Sequence, residues 1–340
     1  MSTSLALPAH SESRARRAAR QFQSIGARAL TVLVTLLGLL ALTFVIGRVM
    51  PLDPVLSIVG PDADRSTYEQ VYRQLGLDKP LWVQFGYYLR DLLHGNLGHA
   101  VLTGHPVVSD LARVLPSTIE LATLAILLGT GLGVPLGVYA ATRKGRWGDH
   151  CMRLFSLMGY STPVFWFGMM GLLVFYAWLG WAGGIGRVGI AFEGAVPVVT
   201  GFLLVDTLLS GDGAAFRSAL RHITLPACIL GQLSQEYVLA ARVKGLPERT
   251  VVWGHAFRNI LVQLLTIVAL AYGGLLEGAV LIETVFGWPG FGQYLTSSLL
   301  LGDMSAVMGS VLVVGVIFVV INLITDALYR VFDPRTQQQR

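Results

Sequence analysis

What most constrains this chain is a series of long apolar runs set apart by segments rich in arginine. Ala29 to Gly47 is the first run, and Thr118 to Ala141, Leu154 to Trp181, Leu261 to Ile282 and Ala306 to Leu323 follow it. Each approaches or exceeds the ~20 apolar residues that take a helix across a bilayer. Hydrocarbon offers no water to backbone polar groups, so such runs must be helices that satisfy their own N–H and C=O groups. The composition agrees: 54% hydrophobic, 13% charged, mean hydropathy +0.62. The expected fold is an all-α polytopic membrane protein of about six transmembrane helices, the fourth shortened. An external region separates spans 1 and 2.

Charge sets the expected orientation. Arg14, Arg16, Arg17 and Arg20 precede the first run; Arg143, Lys144, Arg146 and Arg153 separate the second and third; Arg242, Lys244, Arg249 and Arg258 precede the fifth; Arg330, Arg335 and Arg340 close the chain. Basic residues beside span ends mark the cytoplasmic side, so both termini are expected there. The first run is too long for a signal-peptide core and no small-x-small site follows it, so it is read as retained. The expected layout is a polar, mobile tail over 1–28, a first span over 29–47 and an external region over 48–117. A membrane core follows over 118–329 and a cytoplasmic tail over 330–340. The net charge of +5 does not point to nucleic acid, because the basic residues flank apolar runs rather than forming a stripe.

Several chemistries are excluded. No Gly-x-x-x-x-Gly-Lys-Ser/Thr occurs, so no phosphate loop is available for ATP. None of the seven histidines falls at the centre of a span, which argues against haem. His94, His99 and His105 cluster loosely, but their irregular, Gly-rich spacing reads as solvated or satisfied side chains rather than a metal site. The two cysteines, Cys151 and Cys228, lie on different segments. No cofactor, no metal and no catalytic set is expected.

Three stretches carry the candidate function. Residues 236–259 read EYVLAARVKGLPERTVVWGHAFRN. Gly245 suits a helix C-terminus and Pro247 a new helix start, which gives two short basic helices at an angle. That shape fits a partner's groove, and an ordinary basic loop is the competing reading. Ser161 and Pro163 lie inside the third run, where a proline frees carbonyls that either line a path or accommodate a kink. Glu277 lies in the fifth run, as a functional group at depth or a hydrated boundary residue. Glu283-Thr-Val-Phe-Gly-Trp288-Pro289-Gly290-Phe-Gly292 follows it, a tight turn with an interfacial anchor, either a gate element or a well-made turn.

These stretches together resemble ATP-binding-cassette importer permeases of the dipeptide, oligopeptide and nickel type. Tyr237, Ala240, Ala241, Arg242, Lys244, Gly245 and Leu246, then His255, Arg258 and Asn259, resemble that family's cytoplasmic coupling loop. Residues 283–292 resemble its external Glu-Thr-x-Phe-x-Trp-Pro-Gly-x-Gly, residues 200–212 its external loop, and Ser161-x-Pro163-x-Phe165 a segment beside its path. The chain departs from the pattern at Leu52, Leu239, Gln263 and Glu277. The resemblance implies a permease subunit, powered by separate ATPases, that imports di- or oligopeptides. The implied partners are a second, different permease chain, two ATP-binding-cassette subunits and a periplasmic or lipid-anchored substrate-binding protein. The implied place is the bacterial inner membrane.

Beside that pattern, the fourth span stands out. Between Leu225-Pro226 and Glu236-Tyr237-Val238 roughly a helix's worth of residues is missing. The apolar part, Ile223 to Leu233, is about half of a span. The expected solution is a helix from Thr224 or Leu225 that runs into the coupling region, displaces the loop and weakens transport. A transport-deficient membrane scaffold is the alternative that follows.

Overall fold

The computed structural model describes residues 14–49, 53–60, 62–142, 147, 154, 157, 161–232, 271–275 and 278–332. Among these residues the only β pairing is an isolated bridge between His99 and Pro106; the regular elements are helices. The chain divides into two compact units, Met1–Met50 and Pro51–Arg340.

The first unit holds one helix, Arg14–Val49, of 36 residues. It begins well ahead of the apolar stretch Ala29–Val45. The arginine-rich segment is therefore helical from Arg14, where a mobile tail was expected. Thr43 sits in the apolar stretch with its hydroxyl satisfied by the Leu39 and Leu40 carbonyls, each at 3.0 Å.

The second unit opens with three short helices, Pro54–Val59, Arg65–Gln74 and Leu81–Leu93. The Asp53 carboxylate accepts from Val55 N at 2.9 Å and from the Tyr68 hydroxyl at 2.6 Å, and Pro54 takes the first helical position. Leu52, which departs from the family pattern, lies outside the described residues. The second helix matches the amphipathic segment expected from Ser66 to Leu75, and the third carries Trp82, Phe85, Tyr87 and Tyr88.

A 36-residue helix, Val107–Thr142, comes next and passes through Pro116 and Pro135. Two helices are long and apolar enough to cross a membrane among the described residues, Val107–Gly133 and Met304–Thr325. Ala29–Val45 and Val164–Trp178 are shorter apolar helices. The first crossing helix has 50% of its apolar window buried and the second 11%, so the last helix is the peripheral one.

The fourth helix corrects the expectation about its start. It runs Gly213–Gln232, 20 residues, instead of beginning at Thr224 or Leu225. The cause is Asp212, whose carboxylate accepts from Ala214 N and Ala215 N at 2.9 Å and so caps the helix. Pro226 sits inside the helix rather than opening it. Arg217, Arg221 and His222 occupy its first three turns, and the apolar part begins at Ile223. The onward path into residues 233–270, and with it the coupling stretch, lies outside the described residues.

The third run also differs. Thr162 and Pro163 interrupt it, and an α-helix starts at Val164. The Pro163 carbonyl accepts from Trp166 N at 3.0 Å and Phe167 N at 3.3 Å, so the proline opens a helix instead of kinking one. Leu172–Trp178 continues as π-helix.

The main core joins the second, fourth and fifth runs. Leu121, Ala122, Ala125 and Ile126 pack with Ile223, Ala227 and Leu230, and with Leu275, Ala279, Ile282, Phe286 and Trp288. Small residues set the closest approach: a Cβ on Gly231 would lie 2.8 Å from the Ala125 carbonyl oxygen and 3.6 Å from Gly129 Cα. Gly131, two residues beyond Gly129, has open space where a Cβ would stand. A smaller cluster joins Ala100, Val107, Leu111 and Val114 to Phe291, Tyr294 and Ala306.

Candidate functional site

The site grows from the turn after helix 278–286. Gly287, with φ +54°, ends that helix in the left-handed region. Trp288 N then donates to the Glu283 carbonyl at 2.8 Å, closing the turn. The Trp288 side chain is 1% exposed, and its indole N–H donates to the Ser117 carbonyl at 3.2 Å. Pro289 and Gly290 lead into the next helix, Phe291–Leu300.

Glu283 is fully buried and organises this turn. Its carboxylate folds back onto the start of Phe291–Leu300, accepting from Gly292 N at 2.6 Å and Gln293 N at 3.1 Å. These are orphan donors of a helix N-terminus, where negative charge is favoured. The Thr118 hydroxyl donates to the other carboxylate oxygen and accepts from Phe291 N at 2.7 Å. Gly290 is required by space: a Cβ there would lie 2.3 Å from Glu283 Oε1. Gly292 likewise faces the Val280 backbone, at 2.5 Å from a built Cβ.

A second carboxylate, Glu120, lies just beyond Thr118 on the same helix. Arg187 Nη2 donates to it at 2.6 Å and also reaches the Gly201 carbonyl at 3.0 Å. Leu203 N and Leu204 N, at the start of the short helix Leu203–Leu209, donate to Glu120 at 3.1 and 2.8 Å. The Arg187 guanidinium stands 5.7 Å from the Trp288 ring centre. One arginine thus ties the loop 183–212 to both the second helix and the rim turn.

Within that loop Asp206 accepts from Thr200 N, Thr200 Oγ1 and Gly201 N at 2.8, 2.7 and 3.0 Å. Burial alone would raise its pKa, but the hydrogen bonds from Thr200 and Gly201 outweigh that and hold it below the usual carboxylate value. Asp303 does a similar task at the last helix. It is fully buried, caps Met304–Phe332 through Ala306 N at 3.1 Å and accepts from Val101 N and Leu102 N.

Of the expected site residues, Glu283, Trp288, Pro289 and Gly290 come together in this rim. Ser161 and Pro163 lie at the start of the third helix, which reaches the rim region through Gly168: a Cβ there would meet Val285 at 3.1 Å. Glu277 and the coupling residues Tyr237, Ala240, Ala241, Arg242, Lys244, Gly245, Leu246, His255, Arg258 and Asn259 lie outside the described residues. Thr118, Arg187, Asp206 and Asp303 were not foreseen. His94 bonds the Arg90 carbonyl at 2.7 Å and His105 lies 3.8 Å from Asp110, and no group of three metal-ligating side chains occurs among the described residues. Among the described residues the arrangement is a set of buried carboxylates satisfied by backbone N–H groups and Arg187, and it contains no nucleophile paired with a base.

Comparison with known proteins places the chain. A family described as "Binding-protein-dependent transport system inner membrane component" matches residues 133–338, and its N-terminal companion matches residues 21–122. The chain is 41% identical to the probable D,D-dipeptide transport system permease protein DdpB of Escherichia coli K12, over 88% of this chain and 92% of the relative. It is 37% identical to the di/tripeptide permease DppB of Pseudomonas aeruginosa, over 92% and 98%, and 34% identical to the dipeptide permease DppB of Escherichia coli K12, over 91% and 97%. Permeases of this kind are membrane transport subunits without enzymatic activity of their own. The chain belongs to the binding-protein-dependent transport system inner membrane components.

Proposed function

We propose that this chain forms half of the translocation path of an ATP-driven importer for dipeptides or short oligopeptides, with both termini in the cytoplasm. The observation that carries the reading is near full-length likeness to permeases named for dipeptide and tripeptide transport. A second, different permease chain completes the path. A binding protein delivers peptide to the outer face. Two ATPase subunits engage residues 236–259 of this chain and the matching loop of its partner. ATP binding draws the coupling loops together and opens the path outward, and hydrolysis resets it. The rim built on Glu283 and Glu120 closes the outer mouth and moves as one piece.

The test is ATP-dependent uptake of labelled dipeptide by proteoliposomes holding the whole complex. Uptake with the binding protein present is expected, and Gly245→Val is expected to leave assembly intact while separating ATP hydrolysis from uptake. Normal uptake by Gly245→Val would remove the coupling role. An assembled complex that hydrolyses ATP without any peptide uptake would instead favour a scaffold.

A further inference from the structure

Between the third helix, Val164–Trp178, and the fourth, Gly213–Gln232, lies a cavity of about 710 Å³ with mostly apolar walls. The helices touch at Gly171, where a Cβ would lie 2.9 Å from Ile229 and 3.3 Å from Leu225. Trp166, Phe175 and Trp181 form one wall, and Leu220, Thr224 and Cys228 the other. From Leu220 to Ile229 the wall runs along about 13 Å of helix, at 1.5 Å per residue. Its volume is in the range of ~300–1,000 Å³ that takes a drug-sized molecule. Arg221 lines the end nearest Asp212, the outer end on the topology proposed above. Its guanidinium donates to the Gly180 carbonyl at 2.6 Å, which holds it at the mouth. Arg217, one turn further out, is exposed on the same face. Trp178 and Trp181, 73% and 68% exposed, stand near that level.

We propose that this groove is a binding site for an anionic phospholipid of the outer leaflet, its acyl chain between the two helices and its phosphate at Arg221 and Arg217. The inference rests on the membrane orientation proposed above. Charge complementarity selects the occupant. Two arginines face the headgroup level, against one nearby carboxylate, Asp212, which is engaged by Ala214 N and Ala215 N. A partner helix is a poorer match, because helices in hydrocarbon dock through small residues. Here the glycine, Gly171, is already covered by Ile229 and Leu225, and the wall of Trp166, Phe175 and Trp181 is built of large side chains, with Thr224 and Cys228 the smaller ones facing it.

The experiment uses the whole complex in nanodiscs with traces of phosphatidylglycerol bearing a diazirine in its acyl chain, compared with a phosphatidylcholine of the same chain. Photolabelling is expected in the peptides spanning 164–178 and 220–229, with phosphatidylglycerol preferred. Arg217→Gln and Arg221→Gln should each cut the preference roughly fivefold, as expected for a basic residue at an anionic surface. Cys228→Trp, which fills the groove, should reduce labelling by both lipids. Equal labelling by the two headgroups, or labelling unmoved by Cys228→Trp, overturns the proposal. So does efficient short-range crosslinking of Cys228 to the second permease chain, which would make the groove a protein interface. Uptake and ATPase activity are followed in the same preparation; their absence with headgroup-selective labelling present would sink the transporter reading and leave the lipid site standing.

Discussion

At the rim, Glu283, Glu120, Asp206 and Asp303 are all buried, and each carboxylate is surrounded by backbone N–H groups of a neighbouring segment. A turn or so deeper along the same second helix, Ala125 and Gly129 receive Gly231 by bare backbone proximity. The two regions solve different problems. The rim is made of loops and helix ends whose N–H groups have no partners of their own, so a buried acceptor both satisfies them and fixes where they lie. The deeper helices satisfy most of their own backbone, and close steric fit at small residues governs how near they come. Rim contacts are therefore directional and few, and deep contacts are distributed.

The largest test of this contrast removes the rim's main acceptor. Glu283→Ala strands the Gly292, Gln293 and Thr118 donors and is expected to cost about 3–5 kcal/mol, since each buried donor left without a partner costs about 1–3 kcal/mol. It should appear as a large fall in the Tm of the purified complex, with Gly290→Val acting in the same direction by driving a side chain into the carboxylate. A Tm for Glu283→Ala within ~1 °C of the parent protein would mean the carboxylate does not organise the rim.

Next is the Glu120–Arg187 pair. Arg187→Met leaves a buried carboxylate and should cost about 3 kcal/mol. The double variant with Glu120→Gln should cost less than the two single losses together, by about 0.5–3 kcal/mol. Additive losses in that double-mutant cycle would show that Glu120 and Arg187 act separately.

In the deeper region the sign of a glycine substitution should depend on its contacts. Gly231→Ala pushes a methyl into the Ala125 backbone and is expected to cost about 1–3 kcal/mol. Gly131→Ala enters open space within a helix and should gain up to about 1 kcal/mol. Equal effects in thermal unfolding would erase the distinction drawn between these positions.

The smallest effect concerns acid. The folded pKa of Asp206 lies below its unfolded value, so its hydrogen bonds add stability above the ordinary aspartate pKa of about 4, and that contribution is lost as pH falls through the folded pKa. Asp206→Asn should lower the Tm modestly at pH 7 and much less at the acid end. A constant difference across the range would show that protonation of Asp206 is not the cause.

Much of this was legible in order. The apolar runs gave the helical class, and residues 283–292 stood out because Glu, Trp, Pro and Gly fall at fixed offsets within one local turn. The Glu120–Arg187 pair was not legible, because it joins residues 67 apart through a loop whose path no local pattern specifies. The fourth helix was misplaced because its start was sought where the apolar residues begin, at Ile223. The better signal, Asp212 followed by Gly213 and two alanines, is a cap pattern that its hydrogen bonds confirm. Thr118 escaped notice since a threonine in an apolar run ordinarily bonds its own helix; here its hydroxyl serves another one.

Asp303 has a consequence for the order in which the protein is made. Its carboxylate receives the N–H of Val101, 202 residues earlier in the chain. At about 5–20 residues per second, the ribosome needs roughly 10–40 s after making Val101 before Asp303 exists. Through that interval the 99–106 segment is already synthesised but lacks the acceptor that fixes it to the last helix. The newborn chain therefore pins this segment only near the end of synthesis, and a chain truncated ahead of Asp303 would carry it unpinned.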